Sequence, residues 1–336
     1  MLEGRIALRA AGHESEIIAD DVDDRWADLD VRSGEHLDET VDPDTRLVYH
    51  LAIGANLADR LVERPERLVV VYHNLTPGEL LEPWDPNLGP AIGWGRQQLR
   101  RLARRADLGI AMSEYSEREL RAAGMTNTVT VPVLIDAHAL TEPDPERVDA
   151  LREPGLTTWL YVSRLAPNKG QHDLLQSFAL YRKAHDPRAR LWLCGGSASD
   201  RYSAALRGFV ESLDLGHAVD FTGPVSGSEL AARFAAADVF VSLSDHEGFG
   251  VPFLEAWQHD LPVIAFGSSA VPETVGDAGL VLADKAPATV AAAVARLVGD
   301  VQLTRTLIER GRHRLVDRFD PASVRRQFVA AIESVR

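Results

Sequence analysis

Short apolar runs rich in β-branched residues alternate with longer helix-patterned segments along all 336 residues. In the first half the strand-like runs are SEIIA (15–19), RLVYH (46–50), RLVVVY (67–72), LGIAM (108–112) and TVTVPV (128–133). The second half offers TTWLYVS (157–163), ARLWLC (189–194), AVDFTG (218–223), DVFVSL (238–243), PVIAF (262–266) and GLVL (279–282). Residues 116–123, 171–183, 202–213, 228–236 and 288–298 read as the helices between them. Strands alternating with helices predict parallel sheets covered on both faces.

The stretch IDAHALTEPDPERVDALREPG (135–155) has no strand pattern and carries three prolines, which makes it the expected linker. The chain is therefore read as a first domain over 1–135, a linker over 136–155, a second domain over 156–315 and a closing helical segment over 316–336. The predicted fold class is α/β, with two Rossmann-like doubly wound domains facing a cleft. In such sheets ligands lie beyond the carboxyl ends of the strands, so the loops after strands are where chemistry is sought.

Composition sharpens this picture at a few points. A formal charge of −14 argues against a nucleic-acid surface. No apolar run is long enough to span a bilayer, and the start, MLEGRIALRAAGHESE, lacks the features of a secretory signal; the expectation is a cytoplasmic protein. A lone cysteine, Cys194, excludes an intramolecular disulfide framework and any multi-cysteine metal site. Positive charge is nearly all arginine, with Lys169, Lys183 and Lys285 the only lysines. The basic stretch WGRQQLRRLARR (94–105) reads either as a solvated helix face or as a peripheral membrane contact.

Four strand-end loops of the second half carry glycine, small or cationic residues. After TTWLYV, Arg164 and Lys169 lead into a helix N-terminus, a setting that suits a diphosphate. After ARLWLC, Gly195 and Gly196 allow close backbone approach to a ligand. After DVFVSL comes SDHEGFGVPFLEAW, where Gly248 and Gly250 turn the chain, Glu247 stands at the loop mouth, and Glu255 is expected in the first helical turn. After PVIAF comes GSSAVPETV, another small-residue loop. Together they fit a nucleoside diphosphate lying across this domain, with Glu255 accepting hydrogen bonds from the ribose and Glu247 facing the group on the second phosphate. There is no phosphate loop of the G-x-x-x-x-G-K-[ST] type, no zinc helix H-E-x-x-H and no G-x-S-x-G nucleophile elbow.

The segments YVSRLAPNKG, DFTGPVSGSELAARFAAADVFVSLSDHEGFGVPFLEAW and PVIAFGSSAVPETVGDAGLVL, in this order, resemble the retaining glycosyltransferases of family 4, which have the GT-B fold. The resemblance implies that Arg164 and Lys169 bind the donor diphosphate and that Glu247 contacts the transferred sugar. It also implies that the amides of Gly248, Phe249 and Gly250 line the sugar-phosphate site, with Glu255 on the ribose. VVVYHNLTP (69–77) resembles the strand that ends in a histidine facing the sugar, which nominates His73. The implied reaction moves a hexose from a nucleoside-diphosphate sugar, of GDP-mannose type, to a glycan or lipid-linked acceptor in envelope or polysaccharide synthesis. It needs no cofactor and no metal, because cations and helix dipoles neutralise the leaving diphosphate.

Two departures from the family stand out. AWQHDLP puts His259 and Asp260 where a glycine is usual, and MLEGRIA offers no counterpart of the first strand and its glycine loop, so the chain is expected to start late. Other readings stay open: a metal-dependent enzyme using Asp21-Val22-Asp23, a nucleotide-sugar epimerase or phosphorylase, and a catalytically silent binding protein of the same fold.

Overall fold

In the computed structural model, which describes residues 1–20, 22, 29–39, 42, 44–86, 88–135 and 142–335, every strand pairing is parallel. The chain forms two compact units: Met1–Leu75, Gly89–Asp136 and Asp320–Arg336 make the first, and Thr76–Leu88 with Ala137–Phe319 make the second.

The first unit contains α1 (Leu2–Ala10), β1 (Ile17–Ala19), β2 (Val31–Ser33), α2 (His36–Glu39), β3 (Arg46–Leu51), α3 (Asn56–Leu61) and β4 (Arg67–Tyr72). It continues with α4 (Leu88–Arg105), β5 (Leu108–Ala111), α5 (Glu114–Ala122) and β6 (Thr128–Thr130). The run RLVVVY explains why this sheet is covered on both sides. Leu68, Val70 and Tyr72 join one buried cluster with residues of α3 and α4, while Val69 and Val71 point the other way into a second cluster with Val324, Phe328 and Ile332. The sheet order is β3-β4-β5-β6, and β1-β2 form a separate pair. Among the described residues β1 pairs only with β2 and β3 only with β4, and residues of both β1 and β3 line a cavity of about 1060 Å³. The basic stretch 94–105 is the body of α4: Leu99, Leu102 and Ala103 are buried, while Trp94, Gln97, Arg100, Arg101 and Arg104 are exposed.

In the second unit, residues 145–151 of the expected linker form helix α6 (Pro145–Leu151). Asp144 caps it by accepting from the Glu146 N–H at 3.1 Å, and Val148 is buried as α6 packs on a later helix of the same unit. Linker residues 136–141 lie outside the described residues. Then follow β7 (Thr158–Val162), α7 (Gln171–Ala184), β8 (Arg190–Cys194), α8 (Asp200–Ser212), β9 (Val219–Gly223), α9 (Gly227–Ala236) and β10 (Val239–Ser242). The unit ends with α10 (Val251–Gln258), β11 (Val263–Phe266), α11 (Val271–Val275), β12 (Leu280–Leu282), α12 (Pro287–Gly299) and α13 (Val301–Phe319). The last helix, α14 (Pro321–Glu333), belongs to the first unit; Asp320 starts it by accepting from the Ser323 N–H at 2.7 Å.

Sheet order in the second unit is β12-β11-β10-β7-β8-β9. The chain leaves β7 in one direction through β8 and β9, then returns to β10 on the other side of β7. Strand order reverses there, which makes the β7/β10 boundary the place where loops diverge and a ligand crevice opens.

Candidate functional site

The loops after β7 and β10 flank this switch point, and they carry the opposite charges read from the sequence. The Lys169 ammonium lies 2.6 Å from Glu247 Oε1, with side chains only 20% and 14% exposed. Burial works against the Lys169 charge, but the Glu247 carboxylate overrides it and lifts the pKa. Arg164 is exposed, makes no ion pair among the described residues, and is close enough for its charge to act on Lys169.

The backbone around this pair is pinned. The Tyr161 hydroxyl, pushed up in pKa by burial, donates to the Lys169 carbonyl at 3.0 Å and shares a 2.6 Å hydrogen bond with Ser244 Oγ. The Glu247 N–H donates to Ser269 Oγ at 2.7 Å, and the Glu247 carbonyl accepts from the Ala270 N–H at 3.2 Å. Loop 267–270, noted in the sequence only for its small residues, thus supports the Glu247 backbone directly.

Gly248, Phe249 and Gly250 complete the turn into α10. Gly250 sits at φ +97°, where a Cβ would meet the Phe253 ring at 2.4 Å, so the turn itself requires glycine. Phe249 contributes backbone to the loop while its buried ring packs edge-on against Phe319. Because α10 begins at Val251, Glu255 lies in its second turn and not its first, a correction to the sequence reading. The Glu255 carboxyl has no hydrogen-bond partner among the described residues, and burial pushes its pKa up to about 7.

At the end of β8, Gly195 has φ +135° and a Cβ there would lie 2.1 Å from the Ser163 carbonyl oxygen. Glycine is therefore demanded by the packing of the β8 loop against the β7 loop, before any ligand is considered. The Gly196 carbonyl accepts from the Leu165 N–H at 2.8 Å, which joins the same two loops. The adjacent Cys194 thiol is buried and pushed up to about 11, so it is a packing residue and no nucleophile.

Arg164, Lys169, Gly195, Gly196, Glu247, Gly248, Phe249 and Gly250 thus gather at the carboxyl ends of β7, β8 and β10, with Glu255 on the helix that follows. His73 belongs to the first unit, just after β4. Its Nε2 is 2.8 Å from His50 Nδ1, and the two rings stack with centroids 5.1 Å apart. Burial pushes His73 down to about 4 and His50 well below its ordinary value, so both are neutral at neutral pH and one donates to the other. His50 was missed by sequence reasoning, although Val48-Tyr49-His50 and Val71-Tyr72-His73 repeat the same three residues at the ends of adjacent parallel strands. Asp21 and Asp23 lie outside the described residues.

Residues 145–314 match the family model for glycosyl transferases group 1. The chain belongs to this family. A GDP-mannose-dependent alpha-(1-6)-phosphatidylinositol monomannoside mannosyltransferase of Mycobacterium tuberculosis is 32% identical over 232 residues, covering 63% of this chain and 59% of that protein. The O-antigen chain mannosyltransferase B of Escherichia coli is 29% identical over 244 residues, covering 70% of this chain and 60% of that protein. The matches therefore span about six tenths of the length of these relatives. Among solved structures, sucrose-phosphate synthase from Thermosynechococcus elongatus superposes with a TM-score of 0.77 over 99% of this chain and 91% of that one, at 22% identity. Likeness at that identity concerns the fold, and it places the family member's parallel α/β units in the GT-B class expected from the sequence.

Proposed function

We propose that this chain is a retaining glycosyltransferase of family 4 that moves a hexose from a nucleoside-diphosphate sugar, GDP-mannose above others, to a hydroxyl of a glycan or lipid-linked acceptor in envelope synthesis. The observation that carries the reading is the Lys169–Glu247 pair with the exposed Arg164 in the same loop as Lys169, at the switch point of the second unit. A diphosphate entering there meets two cations, loop amides and the start of α7. As the glycosidic bond breaks, negative charge grows on the leaving diphosphate, and Arg164 and Lys169 stabilise it without a divalent metal. Glu247 is left to face the sugar, and the Glu255 carboxyl, unpartnered among the described residues, takes the ribose hydroxyls. His73, the histidine the resemblance nominates, is a neutral imidazole able to donate or accept one hydrogen bond. The donor preference rests on the mannosyltransferases named above.

Screening nucleotide sugars by thermal shift in the presence of EDTA tests the reading. GDP-mannose at about 100 times its dissociation constant is expected to stabilise the protein by about 2.7 kcal/mol. No shift with any GDP- or UDP-sugar would sink it.

Peripheral contact with the inner face of a membrane is part of the same proposal. No helix among the described residues is long and apolar enough to cross a bilayer. However, Trp94 is 37% exposed on α4, the helix that also carries the exposed Arg100 and Arg104, and Ile53, against Gly95 of that helix, is 46% exposed. An apolar tip next to a basic face suits anionic lipid headgroups. Co-sedimentation with vesicles containing phosphatidylglycerol, reduced severalfold in Trp94→Ser or at high salt, is expected; equal pelleting with neutral vesicles contradicts it.

A further inference from the structure

In a chain whose positive charge is nearly all arginine, two of the three lysines stand at strand ends of one sheet. Lys169 pairs with Glu247. Lys285 follows β12, and its ammonium lies 2.5 Å from Asp173 Oδ2 and 2.6 Å from Asp245 Oδ1. It also sits 5.5 Å from the centroid of the Phe266 ring.

The two carboxylates belong to different parts of the candidate site. Asp173 is in the first turn of α7, the helix that starts just after the Lys169 loop. Asp245 lies two residues before Glu247 in the β10 loop, and its N–H donates to the Asn168 carbonyl at 2.9 Å. Lys285 therefore ties the Glu247 loop to the helix whose entry carries Lys169, from behind the site. The three side chains are between 22% and 27% exposed, so water screens the tie only in part. The other basic group facing Asp173 is His172, whose Nε2 is 3.5 Å away.

We propose that Lys285 is a positioning residue, touching no substrate itself, that holds residues 244–247 against the start of α7 so that Glu247 and Lys169 stay aligned. This rests on the transfer reading given above. Without the ammonium, Asp173 and Asp245 face each other across the gap it spans, and their repulsion drives the Glu247 loop away from α7. A loop shift of about 1 Å is enough to lower a rate by about 100-fold when a reacting geometry depends on it. Binding of the nucleoside diphosphate changes far less than transfer, because Arg164 and Glu255 are not held by Lys285.

The test uses the whole chain as wild type, Lys285→Met and Lys285→Arg. Hydrogen exchange without ligand is expected to speed up about tenfold in peptides covering 243–250 in Lys285→Met, with β8 and β9 unchanged. Transfer kcat is expected to fall at least tenfold while the GDP dissociation constant, measured by calorimetry, stays within twofold. Lys285→Arg keeps the cation and recovers most of the loss. Unchanged exchange, kcat within twofold of wild type, or a parallel loss of GDP affinity and kcat each overturns the proposal. Wild type that binds neither GDP nor UDP overturns the transfer reading and the positioning role with it, whereas normal wild-type turnover with an indifferent Lys285→Met overturns the positioning role alone.

Discussion

Glu247→Ala is expected to lower sugar transfer by about 100- to 1000-fold, the scale seen when one group aimed at a transition state is removed. The nucleoside diphosphate without its sugar is expected to bind as well as before, or better. The reason lies in the ion pair: the Lys169 ammonium lies 2.6 Å from the Glu247 carboxylate. Removing that carboxylate frees the ammonium for a phosphate while depriving the sugar of its contact. The substitution also leaves a mostly buried cation unpaired, so Glu247→Gln, which keeps the volume and a hydrogen-bond acceptor, serves as the milder companion. Steady-state transfer assays with calorimetry of GDP binding check both halves. Transfer within tenfold of wild type in Glu247→Ala contradicts the assigned role. A wild-type protein that binds donor but never transfers its sugar favours the silent binding protein.

Glu255→Gln is expected to stabilise the unliganded protein at pH 8 and to weaken donor binding. Burial raises the Glu255 pKa from 4.5 to about 7. A raised folded-state pKa means that the protonated form is favoured by folding. That stability is fully present below about pH 4.5 and is lost as pH rises through about 7. Above pH 7 the protein holds a charged, mostly desolvated carboxylate, at a cost on the order of 1–3 kcal/mol. Glutamine removes that charge, so Tm is expected to rise by several degrees at pH 8 and to be unchanged near pH 4.5. Donor affinity is expected to fall about tenfold or more, because a carboxylate accepts both ribose hydroxyls with charge-assisted strength and an amide carbonyl does not. In the wild type, donor affinity is expected to climb as pH passes through about 7, when the carboxylate forms. Melting curves and nucleotide titrations at the two pH values decide it; a variant of equal Tm and equal affinity at pH 8 contradicts the ribose assignment.

Much of this was legible in the residues, for reasons that differ from element to element. RLVVVY spans β4 residue for residue, because a strand buried on both faces must be apolar on both faces. The strand-end loops were legible because glycine, a proline entering a helix and paired charges are uncommon together. One demand on Gly195 was not legible: its missing side chain makes room for the Ser163 carbonyl, a contact between residues 32 positions apart in the chain. Glu255 was placed one turn too early because loop geometry, not composition, sets where α10 begins. Strand β2 and helices α2, α3 and α6 escaped notice, since short elements carry too few periodic positions to stand out.

The sequence alone determined the class of the fold, the alternation of its longer strands and helices, and the group of residues from which a donor site could be assembled. These follow from local patterning, which each segment carries by itself. Only the tertiary structure decided which charges meet. That Lys169 neutralises Glu247, that Lys285 joins Asp173 to Asp245, that His50 stacks on His73, and that Glu255 is half-buried with no hydrogen-bond partner among the described residues are all outcomes of packing. Electrostatic energy depends on distance in space and on exclusion of water, and neither is written in the spacing of residues along a chain.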